Sequence, residues 1–205
     1  ALWEEDATGT GAAAEMLRAR FAAPDSRTSA WESFLAAQCA HPTAAWTDFT
    51  ENPQFPASAS FAGRSRLRRL AVKRDGRTIL RIPPFPGTAS ADRGSFPFPL
   101  SLDEMAVPGI RNQDLVMPYG FAIKRRIRVR YPEDWRLLNP VSPFRREYPF
   151  GILSLAANGP AGVLHIEFSV EIPRHRLAVG DFSAFREMAA LCKRWIEPIL
   201  VWETP

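Results

Sequence analysis

The chain is short of cysteine and histidine and has no long apolar run, and each shortage removes a class of function. Only two cysteines occur among 205 residues, Cys39 and Cys192, far apart and without Cys-x-x-Cys spacing, which excludes a zinc finger or dithiol redox motif. Each falls in the apolar stripe of an expected helix, where a buried free thiol is the plain reading. A Cys39–Cys192 disulfide stays open, because sequence does not reveal how close their Cα atoms come. The three histidines, His41, His165 and His175, lack partners at metal-ligand spacing, so no metal site and no cofactor is expected. Apolar stretches fall short of the roughly 18–20 residues that span a bilayer, and no charged start with an apolar run marks a signal peptide.

What is present suits a folded, sheet-rich protein. Hydrophobic residues make up 46% of the chain, enough for a sizeable core, and 19 prolines outnumber 12 glycines, which favours strand ends, sheet edges and ordered loops over long helices. The net charge of +4 comes mainly from arginines in two runs, 64–81 and 124–130, a mild bias well short of a basic tail.

Residues Ala1 to Glu5 read as the end of a strand, so the chain is expected to be a piece of something longer. A helical hairpin is expected over 8–41. Thr8 to Gly11 lead into a helix-forming run to Phe21, and a second helix begins near Asp25 or Ser26, with Trp31, Phe34, Leu35 and Cys39 on one face. From Trp46 the pattern becomes alternating. Asp75-Gly76 between two apolar runs predicts a β-hairpin, since both positions need positive φ. The proline-rich stretch 83–108 reads as an ordered connector, which places a boundary between a first unit, 1–116, and a second, 117–205.

In the second unit, Ile123, Ile127, Val129 and Tyr131 share one face of a strand while Lys124, Arg126, Arg128 and Arg130 share the other. A hairpin at Asn158-Gly159 joins 151–156 to 163–172, with Leu164, Ile166, Phe168, Val170 and Ile172 inward and His165, Glu167, Ser169 and Glu171 outward. A helix over 181–196, capped by Asp181 or Ser183, lines up Phe182, Phe185, Ala189, Cys192 and Ile196. A short strand from Ile199 to Trp202 follows. The fold class is thus α+β, mainly antiparallel β in sandwich-like units, with a helical hairpin near the N-terminus and one C-terminal helix.

These last elements carry a resemblance. The Tyr131-Pro-Glu-Asp-Trp135 turn, the hairpin, the Ile172-Pro-Arg step, the Asp181-Phe-Ser-Ala-Phe-Arg186 helix start and the Ile199-Leu-Val201 strand resemble the C-terminal region of bacterial transglutaminase-like proteins. Gly9-Thr-Gly-Ala-Ala-Ala-Glu-Met-Leu-Arg18 is similar to the segment that follows their catalytic core. The resemblance implies a non-catalytic accessory module that braces or presents a transglutaminase-like core absent from this chain. It also implies the periplasm or cell envelope of a Gram-negative bacterium, and that core or another protein as partner.

Three constellations compete with that reading. Cys39, His165 and Asp181 occur in thiol-enzyme order, but Cys39 closes its helix, where the dipole disfavours a thiolate, and Asp181 is explained as a cap. No catalytic residue is therefore assigned. The Lys124, Arg126, Arg128 and Arg130 stripe, joined by Arg66, Arg68 and Arg81, could meet an acidic polymer, but cross-strand pairing with Glu167 and Glu171 accounts for it and no nucleic acid is expected. Among Trp3, Trp31, Trp46, Trp135, Trp195 and Trp202, Trp135 stands in a turn as the one candidate platform for stacking a sugar, so the alternative is a glycan-binding β-sandwich module.

Overall fold

The structure is a computed structural model that describes residues 2–38, 42–52, 54, 58–67, 72–81, 113–116, 120–173, 176–196 and 199–203. Among these described residues thirteen strands and three α-helices follow one another. The expected connector at 83–108 lies outside the described residues.

The first strand, β1 (Leu2–Gly11), is longer than its first five residues suggest. Trp3, Glu5, Ala7 and Gly9 point inward and Asp6 and Thr8 outward, so the alternation runs straight through the Thr8-Gly9 segment expected to lead into a helix. Gly11 ends the strand at φ +58°, and a Cβ there would stand 2.3 Å from the Gly120 carbonyl oxygen, so the sharp entry into the first helix requires glycine. Helices α1 (Ala12–Phe21) and α2 (Pro24–Gln38) form the expected hairpin. Pro24 opens α2, which places Asp25 inside its first turn and not at the cap. Trp31, Phe34 and Leu35 are buried as their spacing requires.

Strands β2 (Pro42–Asn52) and β3 (Ser58–Leu67) return beside β1. The hairpin of β4 (Val72–Arg74) and β5 (Arg77–Arg81) turns on Asp75 at φ 51° and Gly76 at φ 70°, the paired positive φ angles that the Asp-Gly step predicts. After β6 (Leu115–Val116) come β7 (Phe121–Arg130), β8 (Arg136–Leu137), β9 (Phe144–Tyr148), β10 (Gly151–Asn158), β11 (Val163–Ile172) and β12 (Arg176–Leu177). A 3-10 turn, Val179–Asp181, leads into α3 (Phe182–Ile196), and β13 (Ile199–Glu203) follows. Asp181 therefore ends the 3-10 turn that feeds the helix.

Seven strands make one antiparallel sheet in the order β2-β3-β1-β7-β11-β10-β9, and four make a second, β4-β5-β13-β8. The large sheet crosses the boundary expected at residue 116. Ten residues of β1 pair in register with β7, and β5 pairs with β13, so both sheets join the two halves of the chain. Local periodicity carries no trace of such pairings between distant segments.

The inward face of the large sheet carries the core. Helix α1 lies over β1 and β3, and α2 over β2. Gly63 lets the Trp31 indole lie on the sheet, since a Cβ there would sit 2.8 Å from that ring. Phe61 stacks on Phe21 at 4.0 Å and meets Trp31 at 5.1 Å between centroids. Helix α3 covers β10 and β11 with Phe182, Phe185, Met188 and Cys192, and Phe185 meets Phe150 edge-on. The small sheet adds Leu80, Leu200 and Trp202 to the same core. No helix among the described residues is long and apolar enough to cross a membrane.

Candidate functional site

The outward face of the large sheet carries the charged side chains, and strand register arranges them in rows. One row runs Trp46, Arg64, Glu4, Arg128, His165, Asn158 across β2, β3, β1, β7, β11 and β10. The next runs Asp48, Ala62, Asp6, Arg126, Glu167, Ala156. Small side chains at Ala62 and Ala156 leave a shallow depression of about 700 Å³ walled by Trp46, Arg64, Arg126, Arg128 and His165.

The basic stripe of β7 stands on this face and is met by carboxylates. Lys124 reaches Glu167 at 2.8 Å and Arg126 reaches it at 2.9 Å. Arg128 reaches Glu4 at 3.3 Å, and Arg64 meets the same carboxylate at 3.4 Å. Glu171, the second expected partner, instead lies in register with Ala122 and Ile152, two residues beyond the Lys124 end of the stripe. Glu4 was not expected, because only the pairing of β1 with β7 brings it there. Arg130 is exposed at the end of the stripe. Arg66 points outward on β3, whereas Arg81 belongs to the small sheet and Arg68 lies outside the described residues. Hydrogen bonding from Lys124 and then Arg126 outweighs partial burial and holds the Glu167 carboxyl below its ordinary value of 4.5.

A second charged group lies on the inward face. Arg125 occupies the inward position between Ile123 and Ile127, and its Nε and Nη2 donate to Glu5 Oε1 and Oε2 at 2.6 and 3.2 Å. The Trp3 indole N–H donates to the same carboxylate at 3.1 Å. Both charged side chains are at least 96% buried, so burial pushes the Glu5 carboxyl up and the Arg125 fork pulls it back. The sequence did contain a signal for this pair, a charge at an inward place of each alternation, but only β1–β7 pairing makes partners of residues 120 apart.

The thiol-enzyme constellation is not assembled among the described residues. His165 is exposed on the outward face, while α3, with Asp181 just before it, packs on the inward face. Cys39, His41 and His175 lie outside the described residues. Cys192 is a buried free thiol whose pKa burial pushes far above the ordinary range, which leaves it a poor nucleophile. Among the described residues no group of three or more His, Cys, Asp or Glu side chains could hold a metal.

The tryptophans also sort differently from expectation. Trp135, the expected platform, is half-buried and packs 6.3 Å from the Trp202 ring, itself 1% exposed. The turn that carries Trp135 folds back on the small sheet, which its local sequence does not show. Among the described tryptophan side chains Trp46 is the exposed one at 51%, at an outward position of the edge strand β2, where the register with β3 shifts. The Arg64 guanidinium lies over its ring at 5.4 Å. The side chain of Trp195 lies outside the described residues.

No family model and no curated protein matches this chain. One solved structure, described as the "crystal structure of a putative protease from Parabacteroides distasonis ATCC 8503", is similar over 64% of this chain at 14% identity and a TM-score of 0.49. The chain covers 24% of that protein. A likeness of this degree assigns neither fold nor activity.

Proposed function

We propose that this chain is a non-catalytic accessory module that works through the open face of its large sheet. The supporting observation is where its polar groups go. On the outward face Glu4 pairs with Arg64 and Arg128, and Glu167 with Lys124 and Arg126, and on the inward face Glu5, Arg125 and Trp3 satisfy each other inside the core. Neither arrangement sets a base beside an accessible nucleophile, which covalent catalysis needs. Such a surface is suited to holding something. The resemblance to the C-terminal region of transglutaminase-like proteins supports a role in bracing or presenting a catalytic domain of that kind.

The test is turnover by the chain itself. Incubated with a p-nitrophenyl ester, or with a glutamine-containing protein and a fluorescent amine, the protein is expected to release or incorporate nothing above the uncatalysed rate. Turnover that disappears in His165→Ala would overturn the non-catalytic reading.

A further inference from the structure

We propose that the open face binds a neutral oligosaccharide laid across the strands, from Trp46 at one end to Asn158 at the other. The inference deepens the non-catalytic reading and rests on it. Trp46 supplies an apolar ring with half its surface open, the Arg64 guanidinium over one face of it, at one end of a row of polar side chains. A pyranose ring has an apolar C–H face that stacks on an indole and a rim of hydroxyls that both donate and accept. The row beyond Trp46 answers that rim, because Arg64, Glu4, Arg128, His165 and Asn158 place a donor set beside an acceptor set. The ion pairs at Glu4 and Glu167 already fix these head groups, so less side-chain freedom is lost when a ligand arrives.

Geometry and charge narrow the ligand. Neighbouring strands lie about 4.7–4.9 Å apart, so a row across six strands extends roughly 24 Å, in steps close to the repeat of a hexose chain. The row through Ser60, Thr8, Lys124, Ser169 and Ser154 adds hydroxyls on one side of the depression. Across these three rows Arg64, Lys124, Arg126 and Arg128 stand against Glu4, Asp6, Asp48 and Glu167, four cations to four carboxylates, and the row on the other side of Trp46 adds Arg66 and Arg130 at its margin. A polyanion meets the carboxylates, a polycation meets the guanidinium groups, and an apolar protein surface strips water from all of them. A neutral polyol pairs with both signs.

Calorimetric titration of the whole chain with cellohexaose, chitohexaose and mannohexaose tests this, with hexagalacturonate and a heparin hexasaccharide as anionic arms. At least one neutral hexaose is expected to bind more tightly than the anionic probes, with a Kd at or below about 1 mM. Trp46→Ala and Asn158→Ala, at opposite ends of the row, are each expected to weaken it at least about tenfold, with unchanged circular dichroism. Four results overturn the proposal: no neutral hexaose binds, only the anionic probes bind, Trp46→Ala binds as well as the parent, or sedimentation shows the face covered in a dimer that Trp46→Ala dissolves. None of these touches the non-catalytic reading, which falls only to the turnover assay.

Discussion

Replacing Arg125 by methionine removes the cation and leaves the Glu5 carboxylate in the core with the Trp3 indole N–H donating to it. Breaking one side of a buried ion pair in this way costs about 3–5 kcal/mol. At about 2–4 °C per kcal/mol for a chain of this size, the midpoint of thermal unfolding should fall by roughly 6–20 °C. Replacing both charges, as Glu5→Leu with Arg125→Met, removes the stranded charge as well as the pair. The deficit then reduces to the Trp3 indole N–H left without its carboxylate, about 1–3 kcal/mol. The double variant is therefore expected to be more stable than Arg125→Met alone, although it carries one more change. Urea unfolding followed by tryptophan fluorescence, with the double-mutant cycle closed by Glu5→Leu, measures all four stabilities. If Arg125→Met costs less than about 1 kcal/mol, or the double variant is no more stable than that single one, Glu5 and Arg125 do not compensate each other's buried charge.

Two glycines with positive φ separate backbone preference from close packing. Gly76→Ala, at φ +70° with nothing within 4 Å of an added methyl, should cost about 1–2 kcal/mol. Gly11→Ala adds the 2.3 Å approach to the Gly120 carbonyl and should cost clearly more; equal losses in denaturant titrations would refute that contact. The Glu167 carboxyl, held below 4.5, contributes stability that is fully present above its unfolded pKa and is lost as pH falls through the folded value. A carboxyl NMR titration should find its midpoint below 4.5 and see it move up in Lys124→Met, whereas a midpoint at or above 4.5 would contradict the pairing.

Much of the local structure follows from short stretches of the chain. The stripe of Trp31, Phe34 and Leu35 in α2, the Asp75-Gly76 turn, the alternation of β7 and β11 and the apolar face of α3 were legible because each depends on neighbours within a few residues. Tertiary structure decided what those elements face. Pairing of β1 with β7 made Glu5 the partner of Arg125 and placed Glu4 beside Arg64 and Arg128. It also joined in one sheet the segments that proline content had divided at residue 116. The exchange of Trp135 for Trp46 as the open aromatic has the same origin, since a ring's exposure depends on what folds back over it, and for Trp135 that is Trp202, far along the chain. Periodicity reports which side of a strand is inward; which distant strand lies alongside is set by the packing of the whole core.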